Sequence, residues 1–209
     1  MRTQLRIVAG VLRGRKVTCD VNPQLRPTPQ MVREAMFSIL GNAIPDRPFY
    51  DIFAGTGVNG LEALSRGAKT VVFIERDFRL ANDIERHLSA WNVAKAGRVM
   101  RADAYRWAEH WQAPHEPVNL FVSPPFADFE SRLPDFLLLI ADLQAKAAPD
   151  SVLVIQSERC AALDKLPLRE QWDERRYGRN HLLIWVKEEG ENGQGSGVRD
   201  QESGIGDSE

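Results

Sequence analysis

Apolar side chains follow a helical spacing early in the chain and form short unbroken runs later. In the segment QMVREAMFSIL they stand at positions 31, 32, 35, 36, 39 and 40, which predicts a helix. We expect Thr28 to be the N-cap of this helix and Pro29 its first residue. Upstream, LRIVAG and RGRKVTC flank Val11–Leu12 and indicate a small β-hairpin.

From residue 49 onward the pattern indicates strands that alternate with helices. Five apolar runs are typical of buried strands: FYDIFA, TVVFIE, GRVMRAD, PVNLFVS and SVLVIQSE. LREQWDERRYG and NHLLIWVKE add a hairpin across Gly178–Arg179. We therefore predict an α/β fold, in which a Rossmann-like, doubly wound, mostly parallel seven-stranded sheet has an antiparallel edge strand and follows a small N-terminal hairpin and helix extension.

The same pattern divides the chain into three parts. Residues 1–47 form the basic hairpin and helix extension, and residues 48–189 form the Rossmann-like domain. Residues 190–209 are rich in Gly, Ser and acidic side chains, and they hold almost no large apolar residue. Such a segment cannot bury enough surface to offset its ordering entropy, so we expect it to be disordered.

Composition excludes several classes of protein. Apolar residues make up 43% of the chain and charged residues 27%, an ordinary globular balance, and no apolar run reaches the ~18 residues of a membrane span. The start lacks the apolar core of a signal peptide, and Cys19 and Cys160 are far apart, which indicates reduced thiols in the cytoplasm. The four histidines show no metal-ligand spacing, so we expect no metal.

The charge is distributed unevenly along the chain. Seven basic residues face two acidic ones within residues 1–34. A basic arm on a nearly neutral body favours a polyanionic partner such as a nucleic acid. A solvated charged surface explains the same pattern equally well.

A glycine-rich loop joins the first strand of the predicted sheet to the next helix. It reads Asp51-Ile-Phe-Ala-Gly55-Thr-Gly57-Val-Asn-Gly60. Ligands of open parallel sheets bind outside the carboxyl ends of the strands, and glycines there let a ligand lie against the backbone. Glu75 ends the next strand, where a carboxylate can accept hydrogen bonds from both hydroxyls of a ribose. The joint spacing favours a nucleoside ligand over a simple tight turn.

Two cofactor classes match this loop. GTGVNG satisfies G-x-G-x-x-G, the signature of nicotinamide-dependent dehydrogenases. However, Asp51 suits a cationic group such as an α-ammonium and not a pyrophosphate, and we find no second domain for an oxidisable substrate. An adenosine that bears an amino acid, S-adenosylmethionine, fits better. Asp103 follows the third strand and can accept from the adenine amino group, cap the next helix, or do both.

The fourth strand ends in Ser123-Pro124-Pro125-Phe126. Two prolines fix the backbone and remove two donors, so we expect a rigid corner that presents carbonyl oxygens and one aromatic ring. Methyl transfer to a planar exocyclic amine needs acceptors that orient the N–H bonds and a flat surface for a base that has left its stack. Ser123 Oγ and a corner carbonyl can be these acceptors, and Phe126 can be the stacking surface. Alone the tetrapeptide would be a strand terminator; after this glycine loop it indicates catalysis.

These features together resemble the class I S-adenosylmethionine-dependent methyltransferases with an Asp/Asn/Ser-Pro-Pro-aromatic motif. More narrowly, residues 6–187 are similar to the bacterial family that methylates guanine N2 in 16S ribosomal RNA. Three blocks carry the resemblance: RIVAGVLRGR, LRPT with VRE, and DIFAGTG followed by GLEA. The first two blocks are specific to the family, whereas the glycine loop alone is generic.

The resemblance implies a role for each matching position. Cofactor-binding positions would be Asp51, Phe53, Ala54, Gly55, Thr56, Gly57, Glu75, Arg76, Asp103 and Ala104. The catalytic corner would be Ser123, Pro124, Pro125 and Phe126. Positions that would face RNA or the mouth of the active site are Arg6, Arg13, Arg15, Arg26, Thr28 and Arg33. The family usually has Asp where this chain has Ser123, and a neutral acceptor is weaker than a charged one, which leaves open slower turnover, another target amine or loss of catalysis.

Four hypotheses follow in order of preference. The first is a cytoplasmic, monomeric guanine-N2 methyltransferase that acts on small-subunit ribosomal RNA or a partly assembled 30S subunit and needs no metal or membrane. The second is a DNA methyltransferase for adenine N6 or cytosine N4, which Ser123 favours and the N-terminal blocks oppose. The third is a non-catalytic RNA-binding or assembly protein that turns over no cofactor. The fourth is the dehydrogenase, which would bind a nicotinamide cofactor and not S-adenosylhomocysteine.

Overall fold

Two sheets of different size lie in the part of the chain that the structure, a computed structural model, describes: residues 2–20, 27–158 and 161–189. The smaller sheet is the predicted hairpin, in which β1 and β2 pair in antiparallel register. The strands are β1 (Arg2–Arg6), β2 (Lys16–Asp20), β3 (Pro48–Ile52), β4 (Thr70–Ile74), β5 (Gly97–Met100), β6 (Asn119–Val122), β7 (Val152–Glu158), β8 (Asp173–Tyr177) and β9 (Asn180–Val186). The helices are α1 (Gln30–Leu40), α2 (Val58–Ser65), α3 (Phe78–Ala90), α4 (Ala104–His110), α5 (Asp128–Ser131) and α6 (Leu133–Lys146).

The larger sheet has seven strands in the order β5-β4-β3-β6-β7-β9-β8. Strands β3 to β7 are parallel, and β9 is antiparallel to both β7 and β8. This confirms the predicted fold class with one correction. The antiparallel strand β9 is not the edge strand but lies between β7 and β8, because the closing hairpin turns outward and leaves β8 at the edge. The chain order reverses direction between β3 and β6, which is where ligands of such sheets bind.

Side-chain caps begin two of the six helices. The carboxylates of Asp77 and Asp103 each accept from two backbone N–H groups in the first turn of α3 and α4, and for Asp103 this cap was one of the two predicted roles. Helix α1 differs from the prediction. It begins at Gln30 with Pro29 as the N-cap, and Thr28 makes no capping hydrogen bond, because its hydroxyl bonds to another strand. Helix α5 is only four residues long, and its spacing did not predict it.

Apolar side chains pack on both faces of the large sheet. One core joins α1, α2 and α3 to the sheet, and the other joins α4 and α6 to the opposite face. The N-terminal hairpin contributes Ile7, Leu12 and Val17 to the first core, each at most 5% exposed. The hairpin is therefore packed on the same core as the domain that follows it.

Glu62, which is fully buried in α2, holds the chain between β1 and β2. Its two carboxylate oxygens accept from the backbone N–H groups of Val8 (2.8 Å) and Ala9 (3.0 Å). The same carboxylate pairs with Arg66 Nε at 3.0 Å and with buried Arg33 Nε at 3.6 Å. A buried carboxylate with this many donors fixes the hairpin to α2.

Ser65, one turn further along α2, makes the second attachment of the hairpin. Its hydroxyl accepts from Leu12 N–H at 2.9 Å and donates to Ala9 C=O, and its carbonyl accepts from Val11 N–H at 2.8 Å. Gly10 has φ +81°, and a Cβ there would lie 1.7 Å from the Ser65 carbonyl oxygen. A larger residue at position 10 would therefore force the hairpin away from α2.

Three predictions fall outside the described residues: the disordered tail at 190–209, the RNA contact of Arg26, and the free thiol of Cys160. Cys19 is buried. Within residues 2–20, 27–158 and 161–189, no helix has the length and apolar character needed to cross a bilayer. The same residues hold no group of three or more His, Cys, Asp or Glu side chains placed to bind a metal ion.

Candidate active site

A cavity of about 370 Å³ opens at the carboxyl ends of the parallel strands. Its walls come from the loop after β3, the ends of β4 and β5, the corner after β6, and the ends of β7 and β9. Eight of the ten predicted cofactor-binding residues line it: Phe53, Ala54, Gly55, Thr56, Glu75, Arg76, Asp103 and Ala104. All four corner residues from Ser123 to Phe126 line it as well. The structure thus brings the two predicted sites into one space.

The glycine loop turns sharply between β3 and α2. Three residues of the loop have a positive φ: Gly55 (+54°), Gly57 (+71°) and the non-glycine residue Phe53 (+64°). A Cβ at Gly57 would lie 2.7 Å from Ile84 Cγ1 on α3, so this glycine permits close packing of the loop on α3. Gly57 lies behind the cavity wall, and its predicted role as a backbone surface for a ligand passes to Gly55.

Asp51 lies beneath the loop and has no exposed surface. Its Oδ2 accepts from Gly60 N–H at 2.9 Å, and Oδ1 has no partner among the described residues. Burial raises the pKa of this carboxyl to about 7. Asp51 does not line the cavity but lies behind the loop, so the structure does not bring it to the direct contact that we expected.

Glu75, at the end of β4, connects the loop to the next helix. Its Oε2 accepts from Gly55 N–H at 2.7 Å, and its Oε1 accepts from Asp77 N–H at 2.7 Å. Burial raises the pKa of Glu75, and these two hydrogen bonds oppose that rise. Each carboxylate oxygen has a second lone pair, so both can still accept from the hydroxyls of a ribose.

Asp103 has two functions in the structure. Its Oδ1 caps α4, and its Oδ2 forms an ion pair with Arg132 Nη1 at 3.3 Å. Arg132 also lies over the Tyr105 ring, with Cζ 3.9 Å from the ring centre, and Tyr105 donates to Asp128 at 2.7 Å. An adenine amino group would share Asp103 with Arg132. The sequence pattern did not reveal Arg132, because its partner lies 29 residues away.

The Ser-Pro-Pro-Phe corner is held at both ends. Ser123 N–H donates to the Ile52 carbonyl at 3.4 Å, while the Pro125 and Phe126 carbonyls accept from the backbone of α5 at 2.9 and 3.2 Å. The carbonyls that remain for a substrate amine are therefore those of Ser123 and Pro124. Ser123 is half-buried, and 37% of the Phe126 surface is exposed. Ser123, a neutral acceptor, and the accessible ring of Phe126 thus lie together at the mouth of the cavity.

Four polar side chains form a hydrogen-bonded row in the cavity wall, and only Thr28 among them was a predicted site residue. The Thr28 hydroxyl donates to Gln156 Oε1 at 2.5 Å and accepts from Asn59 Nδ2 at 3.1 Å. Gln156 Nε2 in turn donates to Asn180 Oδ1 at 3.2 Å. All four residues line the cavity. The one sequence feature that could have indicated this wall was Gln156, a polar residue that follows the apolar run Val152–Ile155 in a buried strand.

The predicted RNA-facing residues divide into two groups. Arg6, Arg13 and Arg15 are exposed on the hairpin. The prediction for Arg33 is wrong: its side chain is 1% exposed, donates to the Arg6 carbonyl at 2.7 Å and pairs with Glu62. Burial lowers the pKa of Arg33, which Glu62 partly offsets. Thr28 is also buried and faces the cavity and not the outer surface.

These residues fit S-adenosylmethionine. The unpartnered Asp51 oxygen supplies negative potential for a cationic amino-acid end, and Glu75 supplies acceptors for a ribose. Asp103 and Ala104 lie where the adenine would follow, at the end of β5. Two loop N–H groups that could donate to a pyrophosphate, those of Gly55 and Gly60, already donate to the carboxylates of Glu75 and Asp51.

Comparisons with known proteins agree with this geometry. A family model described as conserved hypothetical protein 95 matches residues 5–186. Ribosomal RNA small subunit methyltransferase D of Escherichia coli K12 is 35% identical over 164 residues, 78% of this chain and 80% of that protein. The putative rRNA methyltransferase YlbH of Bacillus subtilis is 32% identical over 157 residues, 74% of this chain and 83% of that protein.

Solved structures show the same fold. The putative methyltransferase yhhF from Escherichia coli has a TM-score of 0.72 and 31% identity, with 89% of this chain and 99% of that chain covered. The 16S rRNA N2 methyltransferase RsmC of T. thermophilus, in complex with AdoMet and guanosine, has a TM-score of 0.66 and 18% identity, with 90% of this chain and 50% of that chain covered. At 18% identity, the similarity to the RsmC structure concerns the fold alone.

Proposed function

This chain belongs to the conserved hypothetical protein 95 family, and we propose that it transfers a methyl group from S-adenosylmethionine to N2 of a guanine in small-subunit ribosomal RNA. The relative in Escherichia coli is named as a small-subunit ribosomal RNA methyltransferase. The observation that carries the proposal is the single cavity that both the cofactor loop and the Ser123–Phe126 corner line. A purely RNA-binding protein would not need the two sites to meet.

One half of the cavity holds the cofactor. S-adenosylmethionine, when bound, supplies a methyl group on a positively charged sulfonium. Glu75 accepts from the ribose hydroxyls, and Gly55 and Ala104 border the nucleoside. When ionised, above its pKa of about 7, Asp51 stabilises the cationic amino-acid end from behind the loop, because its buried charge is not screened by water.

The corner orients the amine that receives the methyl group. Ser123 Oγ accepts one N–H of guanine N2, and the Pro124 carbonyl accepts the other. Phe126 stacks on the base once the nucleotide has left its helix. Most of the rate enhancement comes from this positioning, since no metal and no strong base are required at an activated methyl carbon. The amine gives up its proton to water after the transfer.

The exposed arginines of the hairpin bind the RNA backbone. Arg6, Arg13 and Arg15 present planar guanidinium groups that can pair with phosphates in a bidentate manner. RNA is recognised largely by its shape and by unpaired bases, so a basic arm beside a pocket suffices. We propose that the enzyme acts as a monomer in the cytoplasm, on small-subunit RNA or on a partly assembled 30S subunit.

The test is methyl transfer from radiolabelled S-adenosylmethionine. Unmodified small ribosomal subunits, free small-subunit RNA and duplex DNA are offered in parallel. We expect label in RNA that digests to N2-methylguanosine. Label in DNA would replace the proposal by a DNA amino-methyltransferase, and no label in any substrate with normal S-adenosylhomocysteine binding would replace it by a binding protein.

A further inference from the structure

The polar wall of the cavity has a function that methyl transfer at the corner does not account for. We call Asn59, Thr28, Gln156 and Asn180 the amide row. Thr28, Asn59 and Gln156 are 5%, 5% and 7% exposed, and Asn180 is half-buried at the mouth. Burying this many polar groups costs free energy unless they are paired, and the row pairs them with each other except for Asn59 Oδ1, which has no partner among the described residues.

The hydrogen bonds of the row all depend on the single proton of the Thr28 hydroxyl. That proton goes to Gln156 Oε1, so the Thr28 oxygen can accept from Asn59 Nδ2. With Oε1 committed, Gln156 must direct Nε2 toward Asn180, whose Oδ1 accepts from it. The amide nitrogen of Asn180 is therefore the donor end of the row. Thr28, which lies 128 positions from Gln156 in the sequence, sets its direction through that residue.

The outer end of the row, Gln156 and Asn180, lies on the side of the cavity away from Glu75 and Asp103, while Asn59 at its inner end belongs to the glycine loop. Gln156 is near the carboxyl end of β7, and Asn180 begins β9 beside it, in register with Glu158. Glu75 and Asp103 follow β4 and β5, on the other side of β3. The corner after β6 separates the two halves. The outer end of the row thus lies on the side from which a substrate base reaches Ser123.

We propose that Asn180, oriented by Gln156 and Thr28, donates a hydrogen bond to the carbonyl oxygen O6 of the target guanine. This inference rests on the proposed function, since the corner must hold N2 while the row reads the rest of the same base edge. Guanine carries a carbonyl on the edge that also bears its amine, whereas adenine carries none. A donor at this wall therefore selects guanine over adenine, which the neutral acceptor Ser123 alone cannot do.

Asn180→Asp tests the assignment with the smallest change. The aspartate keeps an oxygen that accepts from Gln156 Nε2 and replaces only the donor nitrogen by an acceptor. Asn180→Ala removes the donor without adding charge. Asn82→Asp is the matched control, because Asn82 is also half-buried, its oxygen accepts from Arg101 at 2.8 Å, and neither residue lines the cavity.

The measurement compares three nucleosides bound to the protein saturated with S-adenosylhomocysteine. Guanosine has both the amine and O6, inosine lacks the amine, and 2-aminopurine riboside lacks O6. We expect the wild type and Asn82→Asp to bind guanosine about 10- to 100-fold more tightly than 2-aminopurine riboside, the range for an unpaired buried polar group. Both Asn180 variants should reduce that ratio to near one and leave S-adenosylhomocysteine affinity within about twofold.

Three results would overturn the inference. They are a wild-type ratio near one, a ratio that survives both Asn180 substitutions, and an equal loss of S-adenosylhomocysteine affinity in those variants, which would assign the row to the cofactor. Nucleoside binding does not depend on turnover. Failure of the proposed function, seen as absent label in ribosomal RNA, is therefore distinguishable from failure of the Asn180 assignment.

Discussion

Replacing Asp51 by Asn separates two effects of this buried carboxylate: the stability that its burial costs the folded protein, and its contribution to cofactor binding. The side chain has no exposed surface, and one of its oxygens lacks a partner among the described residues. The amide of Asp51→Asn keeps an acceptor for Gly60 N–H and removes the charge. We expect a protein that is more stable near neutral pH and binds its cofactor less well.

The magnitude follows from the pKa of Asp51. The carboxyl releases its proton near 3.8 when unfolded and at about 7 when folded. Between these values the folded state binds the extra proton, so the free energy of unfolding falls as pH rises. At ~1.4 kcal/mol for each unit, the penalty reaches about 4 kcal/mol above pH 7 and disappears below pH 4. Asn does not titrate, so the variant does not pay this penalty.

Urea unfolding of both proteins between pH 4 and pH 8 measures this difference. The stability of Asp51→Asn relative to wild type should rise with pH by up to about 4 kcal/mol. Glu75 also has a raised pKa because of burial, but it is present in both proteins and cancels to first order. A difference that stays constant over this range would refute the reasoning. S-adenosylhomocysteine affinity at pH 8 should fall about tenfold in the variant, and an unchanged affinity would remove Asp51 from cofactor binding.

Four further substitutions test the rest of the site. Ser123→Ala should lower methyl transfer at least tenfold while S-adenosylhomocysteine affinity stays within about threefold, and Ser123→Asp should raise transfer; equal loss of both activities would give Ser123 a structural role. Glu75→Gln should weaken S-adenosylhomocysteine binding about tenfold by calorimetry, and unchanged affinity contradicts the ribose contact. Glu62→Gln should destabilise the protein by roughly 3 kcal/mol in urea, because Arg33 loses its buried partner; a loss below about 1 kcal/mol would contradict that pairing. Arg13→Glu combined with Arg15→Glu should weaken RNA binding and flatten its salt dependence, and an unchanged slope would move the RNA surface elsewhere.

Local chemistry predicted the parts of the fold that depend on neighbouring residues. Asp103 caps α4 as expected, because the groups it satisfies are two and three residues away. The cofactor loop was predictable for the same reason. Helix α5 was missed because four residues are too few to show a period.

The burial of Arg33 was predictable but missed, whereas contacts between distant segments were not predictable. Arg33 counted as a basic residue of the arm, yet positions 33, 36, 37 and 40 form the buried face of α1, and the helical spacing alone would have shown this. The bond from Thr28 to Gln156 joins positions 128 apart, so its existence depends on the assembled sheet. The cavity wall that reads the substrate was for that reason absent from the prediction, while the cofactor half was present.

Helix α2 links the hairpin to the cofactor loop over only eight residues. The loop forms its beginning, and Glu62 and Ser65 near its end anchor the hairpin. Each residue of an α-helix adds about 100° of rotation and ~1.5 Å of rise, so one inserted residue would swing the hairpin a quarter-turn around the axis while hardly lengthening it. The length of α2 therefore sets both the distance and the angle between the hairpin and the cavity. A chimaera that joins this hairpin to another methyltransferase therefore has to include α2 at its full length.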